Sequence, residues 1–130
     1  MVSPLSYEID ENRREVRVTY LNQPSFEEWA RTMEAILSDH RYCAGFGFLM
    51  DRRNITNPAS IAYMQRLVQF VGAHQSQSGA ARWALVVSGV ASFGMARMAE
   101  GLDESESIRA FREIESARSW LASTGGQDLN

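Results

Sequence analysis

Hydrophobic and polar residues alternate along the first twenty positions of the chain. The alternation runs through residues 5–9 and again through residues 16–20, and the polar residues 10–13 separate the two runs. A period of two is typical of strands with one buried face, and a short polar segment between two such strands favours a turn. The pattern predicts a β-hairpin.

Apolar residues then recur at helical spacing after Pro24. Ser25 precedes Glu28 by three positions, the arrangement of a capping box, in which the two side chains satisfy backbone N–H groups that the helix leaves free. The apolar positions that follow share one face of a helix: Phe26, Trp29, Ala30, Met33, Ile36 and Leu37. We predict a helix that ends near residues 39–42.

Short apolar runs mark two further strands. Residues 46–50 and 83–87 are too short for helices and contain no polar alternation, which is typical of strands covered on both faces. Between them a helix is predicted to begin at Asn57 and Pro58, because Asn caps helices and Pro at the first helical position loses no hydrogen bond. Its apolar stripe is Ile61, Met64, Leu67, Val68 and Val71.

The last third of the chain predicts a helix over residues 91–102, an edge strand over 108–111 and a final helix over 114–121. The whole is an α/β fold: an N-terminal β-hairpin followed by four βα turns, with a mostly parallel five-stranded sheet. Residues 1–122 form a single domain, and residues 123–130 form a polar C-terminal tail. If successive strands are neighbours, the crossover helices share one sheet face and leave the other partly bare, which predicts a homodimer.

Composition narrows the classes of function. The 130 residues suit one domain, and the net charge of −3 gives no basic field, so nucleic acid is not expected as a partner. All 13 basic residues are Arg, which excludes chemistry that needs a lysine amine. One cysteine and no apolar run of about 18 residues predict a cytoplasmic protein without a transmembrane segment.

Five segments resemble the SpoIIAA-like family of small bacterial domains, the STAS and SEC14-type group, and together they extend over nearly the whole chain. They are LSYEID (5–10), SFEEW (25–29), GFGFLMDRR (45–53), FGMARMA (93–99) and FREIESARSWL (111–121). The resemblance implies the SpoIIAA-like fold and a non-enzymatic regulatory or protein-interaction module. Members similar to anti-sigma-factor antagonists are phosphorylated at the start of the second helix, and Asp51 matches the acidic residue that closes their third strand.

At the position of that phosphorylation motif this chain has Thr56 and Ser60, without the acidic residue and the Gly of the motif. The two hydroxyl residues are candidate phosphoacceptors. The alternative is that the segment only caps a helix, and this alternative is favoured.

A candidate anion site follows the strand of residues 46–50. Asp51, Arg52, Arg53 and Asn54 lie where a parallel strand ends and before a helix begins. Ligands of open α/β sheets bind at this edge, and the arginine fork can hold a carboxylate or phosphate at two points. The alternative is that both arginines are solvated or paired with Asp51 and nearby acidic residues.

A second candidate site is an apolar pocket. Thioether and aromatic side chains from several elements could line an adaptable cavity, and the SEC14-type resemblance implies a small apolar or lipid-like ligand, so a carrier or sensor is the alternative function. The residues are Phe48, Met50, Met64, Phe70, Phe93, Met95 and Met98. The competing interpretation is that they fill the core.

No catalytic residue, metal site or cofactor is predicted. His40, Cys43 and His74 are too few and too scattered for a zinc site, and the chain has no Gly-x-Ser-x-Gly motif of a hydrolase. Four acidic residues between positions 100 and 106 are interpreted as a solvated loop or a surface for a basic partner. We therefore expect a protein that is not an enzyme.

Overall fold

Five strands form a single sheet in the computed structural model, which describes residues 3–123. The strands follow one another across the sheet in chain order, with β1 antiparallel to β2 and every later neighbour parallel. Their bounds are β1 Leu5–Asp10, β2 Glu15–Tyr20, β3 Gly47–Asp51, β4 Trp83–Val86 and β5 Ile108–Phe111. The predicted α/β class, hairpin and mostly parallel five-stranded sheet are confirmed.

Five helices connect or follow the strands: α1 Phe26–Leu37, α2 Ile61–Ala73, α3 Gln75–Ser78, α4 Val90–Leu102 and α5 Ile114–Ala122. The capping box of α1 is formed as predicted. Glu28 N donates to Ser25 Oγ at 3.1 Å, and Ser25 N donates to Glu28 Oε1 at 2.8 Å. The short helix α3 was not predicted, and α5 ends at the last residue of the predicted domain. The predicted polar tail, apart from Ser123, lies outside the described residues.

Helix α2 begins later than predicted. Ser60, and not Asn57, is its N-cap, since the Ser60 hydroxyl accepts a hydrogen bond from Tyr63 N at 3.1 Å. Ile55 and Ala59, in the non-helical segment before this cap, are both buried against the core. The buried stripe is correspondingly different from the prediction: it includes Tyr63, Met64, Leu67, Phe70 and Val71, whereas Ile61 is exposed.

The two faces of the sheet are covered by different helices. Helices α1, α2 and α4 share one core with the strand residues Val18, Phe48, Met50, Trp83 and Leu85. Helix α5 lies on the opposite face, where Ala117 and Leu121 pack against Leu49, Ala84 and Val86. The three crossover helices therefore share a face as expected, and α5 covers part of the other face, which was predicted to be partly bare.

The strip that α5 leaves uncovered lies over β1 and β2. A shallow cavity of about 420 Å³ on these strands is lined by Ser6, Tyr7, Glu8, Arg17 and Thr19. Because these side chains are mostly polar, this strip does not supply the apolar face from which a homodimer was predicted. Between Ser3 and Ser123, no helix combines the length and the apolar character needed to cross a membrane.

The acidic segment after α4 is exposed at Glu104 and Glu106, as its sequence predicted, but not at Asp103. Asp103 is buried, and its carboxylate accepts hydrogen bonds from the backbone N–H groups of Ser105, Ser107 and Ile108 at 2.7 to 3.2 Å. The hydroxyls of both serines also donate to it. Asp103 therefore organises the turn that leads into β5, and burial of its charge is compensated by these donors.

Candidate functional site

The residues of the predicted anion site lie at the carboxyl ends of the central parallel strands. Strand β3 ends at Asp51, and Arg52, Arg53 and Asn54 follow it. Successive residues of an extended chain point to opposite sides. Asp51 and Arg52 consequently contact different groups, Asp51 on the face that carries α5 and Arg52 on the face that carries the other helices.

Asp51 is the centre of a small network of ion pairs. Its carboxylate accepts hydrogen bonds from Arg17 Nη2 at 3.0 Å and from Arg53 Nε and Nη2 at 2.9 and 3.0 Å. Burial raises the pKa of Asp51, but the hydrogen bonds from Arg53 and Arg17 outweigh this effect and lower the pKa below its usual value. The carboxylate therefore stays ionised, and Arg53 is held by Asp51 as the alternative interpretation of this segment anticipated.

Arg52 is buried, with 5% of its surface exposed. Its Nη2 donates to Gln23 Oε1 at 2.7 Å, and its guanidinium lies 4.7 Å from the Tyr20 ring centre and 5.9 Å from that of Tyr63. Arginine keeps its positive charge in proteins. Within residues 3–123, however, no carboxylate oxygen lies within 4.0 Å of a nitrogen of the Arg52 guanidinium. Asn54 contributes only a long hydrogen bond, 3.4 Å, to the Tyr20 carbonyl.

Around Arg52 lies a group of buried polar side chains that the sequence analysis did not single out. We call the set of Arg52, Tyr20, Gln23, Trp29 and Tyr63 the Arg52 cluster. Arg52 Nη1, Trp29 Nε1 and both tyrosine hydroxyls are buried and have no hydrogen-bond partner among the described residues. Tyr20 lies at a core-facing position of β2. Its hydroxyl was therefore the one indication in the sequence that a polar group lies in this part of the core.

The candidate phosphoacceptors lie on the loop between β3 and α2. Ser60 and Thr56 are both exposed, and the Ser60 hydroxyl caps α2. The structure thus shows a helix cap at Ser60, and phosphorylation of either residue stays a prediction.

The residues of the predicted apolar pocket belong to the main core. Phe48, Met50, Met64 and Phe70 are buried, and Phe48 stacks on Trp83 with ring centres 3.9 Å apart. The other three residues, Phe93, Met95 and Met98, are partly buried against the same core. Five surface cavities of about 420 to 560 Å³ are lined by other residues. The packing of these seven residues is what the competing interpretation of the sequence expects.

Three exposed apolar side chains occupy positions just after a strand or at the start of a helix that follows one. Leu21 follows β2, while Ile61 and Val90 begin α2 and α4, and their exposed fractions are 48%, 57% and 79%. Neighbouring strands lie about 4.8 Å apart, so the ends of β2 and β4 are about 10 Å apart. We call these three residues the carboxyl-edge patch. The remaining large exposed apolar residue of the described chain, Leu102, lies at the opposite end of α4.

Candidate metal ligands do not come together in the described part of the chain, where no three His, Cys, Asp or Glu residues are grouped to hold an ion. His74 instead stacks on Phe70, with ring centres 3.8 Å apart.

The fold and this edge define an α/β domain with a buried cation and an apolar patch at the carboxyl ends of its parallel strands. Comparison of the chain with family models, curated proteins and solved structures finds no match. The geometry and the sequence are therefore the basis for proposing a function.

Proposed function

We propose that this protein is a non-enzymatic regulatory or protein-interaction module of the SpoIIAA-like, STAS type, and that it binds a partner protein through the carboxyl-edge patch. The observation that carries the proposal is that three of the four large exposed apolar side chains in residues 3–123 lie at this one edge. Apolar groups that cluster on a surface are typical of binding sites, whereas isolated ones are common and need no explanation.

The family assignment within this proposal is supported by the arrangement of the sheet. The strands follow the chain order, and α1, α2 and α4 pack on one face, as the resemblance implies. The non-enzymatic part is supported by Asp51, the acidic residue of the site, because its hydrogen bonds to Arg17 and Arg53 make it a structural anion and not a proton donor.

Charges near the patch indicate the chemistry of the partner. Arg53 follows β3, and Arg112 follows β5, where its guanidinium lies 4.4 Å from the Phe93 ring centre. Glu113 is the acidic residue that lies beside Arg53. Because Arg53 is already paired with Asp51 and lies beside Glu113, Arg112 is the guanidinium of this edge that a carboxylate of the partner would meet.

A direct test replaces one patch residue at a time. In affinity purification from the source cells, Val90→Asp and Ile61→Asp should each lower recovery of the partner at least tenfold. Both residues begin helices, where an added acidic side chain is tolerated, so the fold should be retained. Leu102→Lys is the control, because it replaces the exposed apolar residue at the far end of α4 by a charge of the sign that a helix C-terminus tolerates. Equal loss in all three variants, or in none, would contradict the proposal.

A homodimer through the carboxyl-edge patch is the alternative occupant of the same surface, with the patch shared by a two-fold pair. Light scattering tests it on the full chain. A mass of about twice 14.6 kDa that falls to the monomer value in Val90→Asp supports the dimer. A monomer at high concentration rejects it and leaves the heterologous partner to be tested by affinity purification.

A further inference from the structure

The two edge strands of the sheet differ in how their outward-facing N–H groups are bound. In β5, the Ser107 carbonyl accepts a hydrogen bond from β4 at 2.7 Å. Backbone groups alternate in direction along a strand, so Ile108 and Ala110 face outward. Ile108 N donates to Asp103 Oδ2 at 2.9 Å, and Ala110 N donates to Glu100 Oε1 at 3.0 Å. Carboxylates of the chain therefore occupy the N–H groups of this edge, and an edge that is covered in this way does not serve as a template for another strand.

Strand β1, at the opposite edge, has no carboxylate of this kind. The Pro4 carbonyl accepts a hydrogen bond at 2.8 Å from the residue that follows β2. In the observed register, the residues of β1 that bond to β2 therefore alternate with Leu5, Tyr7 and Ile9, which face outward. Leu5 N donates to Ser3 Oγ at 3.3 Å, but no group in residues 3–123 accepts a hydrogen bond from the N–H of Tyr7 or Ile9. This edge is thus free to pair with another strand.

Open space borders the free edge on both faces of the sheet. A cavity of about 490 Å³ lies between β1 and α1, and another of about 540 Å³ borders the end of β1 and the turn after it. A third, of about 420 Å³, lies on the opposite face, and Tyr7 lines all three. Where α1 borders the first cavity, it contributes the small side chains of Thr32 and Ala35. A second strand can therefore lie beside β1 without displacing other parts of the described chain.

We propose that the free edge of β1 pairs with β1 of a second copy of this chain, antiparallel and about a two-fold axis at Tyr7. All three outward-facing residues then take part, with Leu5 opposite Ile9 of the second copy. Ser6 lies opposite Glu8 of the second copy. An axis at Glu8 would instead place two glutamates opposite each other, and like charges at such positions are destabilising. The pairing supplies acceptors for the Tyr7 and Ile9 N–H groups and joins the two sheets into one.

The edge of β1 is separate from most of the carboxyl-edge patch, since Ile61 and Val90 follow β3 and β4 in the interior of the sheet. The inference therefore does not rest on the proposed binding of a partner protein, and Val90→Asp should leave this dimer intact. A dimer that dissociates in Val90→Asp is held by the patch and would contradict pairing through β1. Partner recovery in affinity purification has no bearing on it.

Analytical ultracentrifugation of the full chain tests the register through the charge at position 6. Ser6 is exposed, so its substitution leaves the packing of the monomer unchanged. Ser6→Glu places like charges opposite each other and should raise the dimer Kd about fivefold, whereas Ser6→Arg places opposite charges there and should lower it about fivefold. Gln69→Glu and Gln69→Arg are the matched controls, because they make the same charge changes at an exposed position of α2, and their Kd values should agree within about twofold. A monomer at millimolar concentration, or the same Kd in both Ser6 variants, overturns the proposal.

Hydrogen exchange of individual amides in the wild-type protein locates the interface. The Tyr7 and Ile9 N–H groups are hydrogen-bonded only in the pair, so their exchange should slow about tenfold or more when the concentration is raised from well below to well above the dimer Kd. The Ala110 N–H is the control, because it is bound to Glu100 within one chain and should exchange at the same rate at both concentrations. Rapid exchange of the Tyr7 and Ile9 amides above the Kd would place the dimer contact elsewhere and refute the pairing.

Discussion

Replacing Asp51 by asparagine tests whether the ion pairs at the end of β3 stabilise the protein. Asparagine keeps the size of the side chain and one acceptor oxygen, and removes the negative charge. In the wild type this charge is shared by Arg17 and by the bidentate contact of Arg53. The change therefore leaves two guanidinium groups without their counter-ion.

The expected loss follows from burial of the three side chains. Removing one partner of a fully buried ion pair costs about 3 to 5 kcal/mol. Here Asp51 is 7% exposed, but the side chains of Arg17 and Arg53 are 34% and 40% exposed, so water recovers part of the interaction. We expect a loss of about 2 kcal/mol in the free energy of unfolding, or about thirtyfold in the equilibrium constant.

Urea unfolding at pH 7 measures this loss. Asp10→Asn is the matched control, because Asp10 forms an exposed pair with Arg13 at 3.6 Å and its removal should change stability by less than about 0.5 kcal/mol. Equal effects of the two substitutions would refute the argument that burial makes the Asp51 pairs stabilising.

The pH dependence gives an independent check with a defined sign. The pKa of Asp51 is lowered from 3.8 in the folded protein, so its contribution is present above that value. The contribution is lost as the pH falls below about 4 towards the folded pKa. The difference between the wild type and Asp51→Asn should therefore be full at about pH 5 and shrink progressively as the pH falls below about 4 towards about 3. A difference that is constant over this range would contradict the assignment to the carboxylate charge.

Three further substitutions test the packing that supports the site. Asp103→Ala removes the acceptor for buried backbone N–H groups at the start of β5, and should cost about 3 kcal/mol in urea unfolding. Gly79→Ala should lower the Tm by several degrees, because Gly79 has φ +73° and an added Cβ would lie 2.7 Å from that of Ala44. Leu121→Ala should cost about 2 to 3 kcal/mol by loosening α5 from the sheet, measured by urea unfolding.

Each of these substitutions has a control or a contradicting result. Gly72→Ala places a methyl group in open space on an exposed position of α2, and should leave the Tm unchanged or raise it slightly. A fall in Tm equal to that of Gly79→Ala would contradict the steric argument. Glu104→Ala, at an exposed position, should have little effect, and Asp103→Ala should not resemble it. If Leu121→Ala is as stable as the wild type, α5 does not stabilise the sheet face that it covers.

Local signals in the sequence were sufficient for most elements. The hairpin alternation and the Ser25 capping box involve residues that are near one another in the chain, and both are present in the structure. The start of α2 was predicted wrongly because Asn57 and Ser60 are equally acceptable caps in local terms. Burial of Ile55 and Ala59 against the core decides between them, and that is a tertiary effect.

The site illustrates the same limit. The sequence indicates that charged residues follow β3, and alternation along a strand separates Asp51 from Arg52. The partners of Arg52 could not be inferred, because Tyr20, Trp29 and Tyr63 belong to three other elements. Asp103 was interpreted as a surface charge because the backbone donors that stabilise it come into position only when the turn before β5 forms.

The carboxyl-edge patch and the Arg52 cluster meet at the first turn of α2, but their contributions are separable. Ile61 is exposed, whereas Tyr63, two residues later, is buried beside Arg52. Residues two positions apart on a helix point to different sides, so each can be changed without touching the contacts of the other. Ile61→Asp should therefore reduce partner binding, whereas Tyr63→Phe should leave partner recovery in affinity purification at the wild-type level. If Tyr63→Phe lowers partner recovery as much as Ile61→Asp does, the outer surface and the buried cation act as a single site.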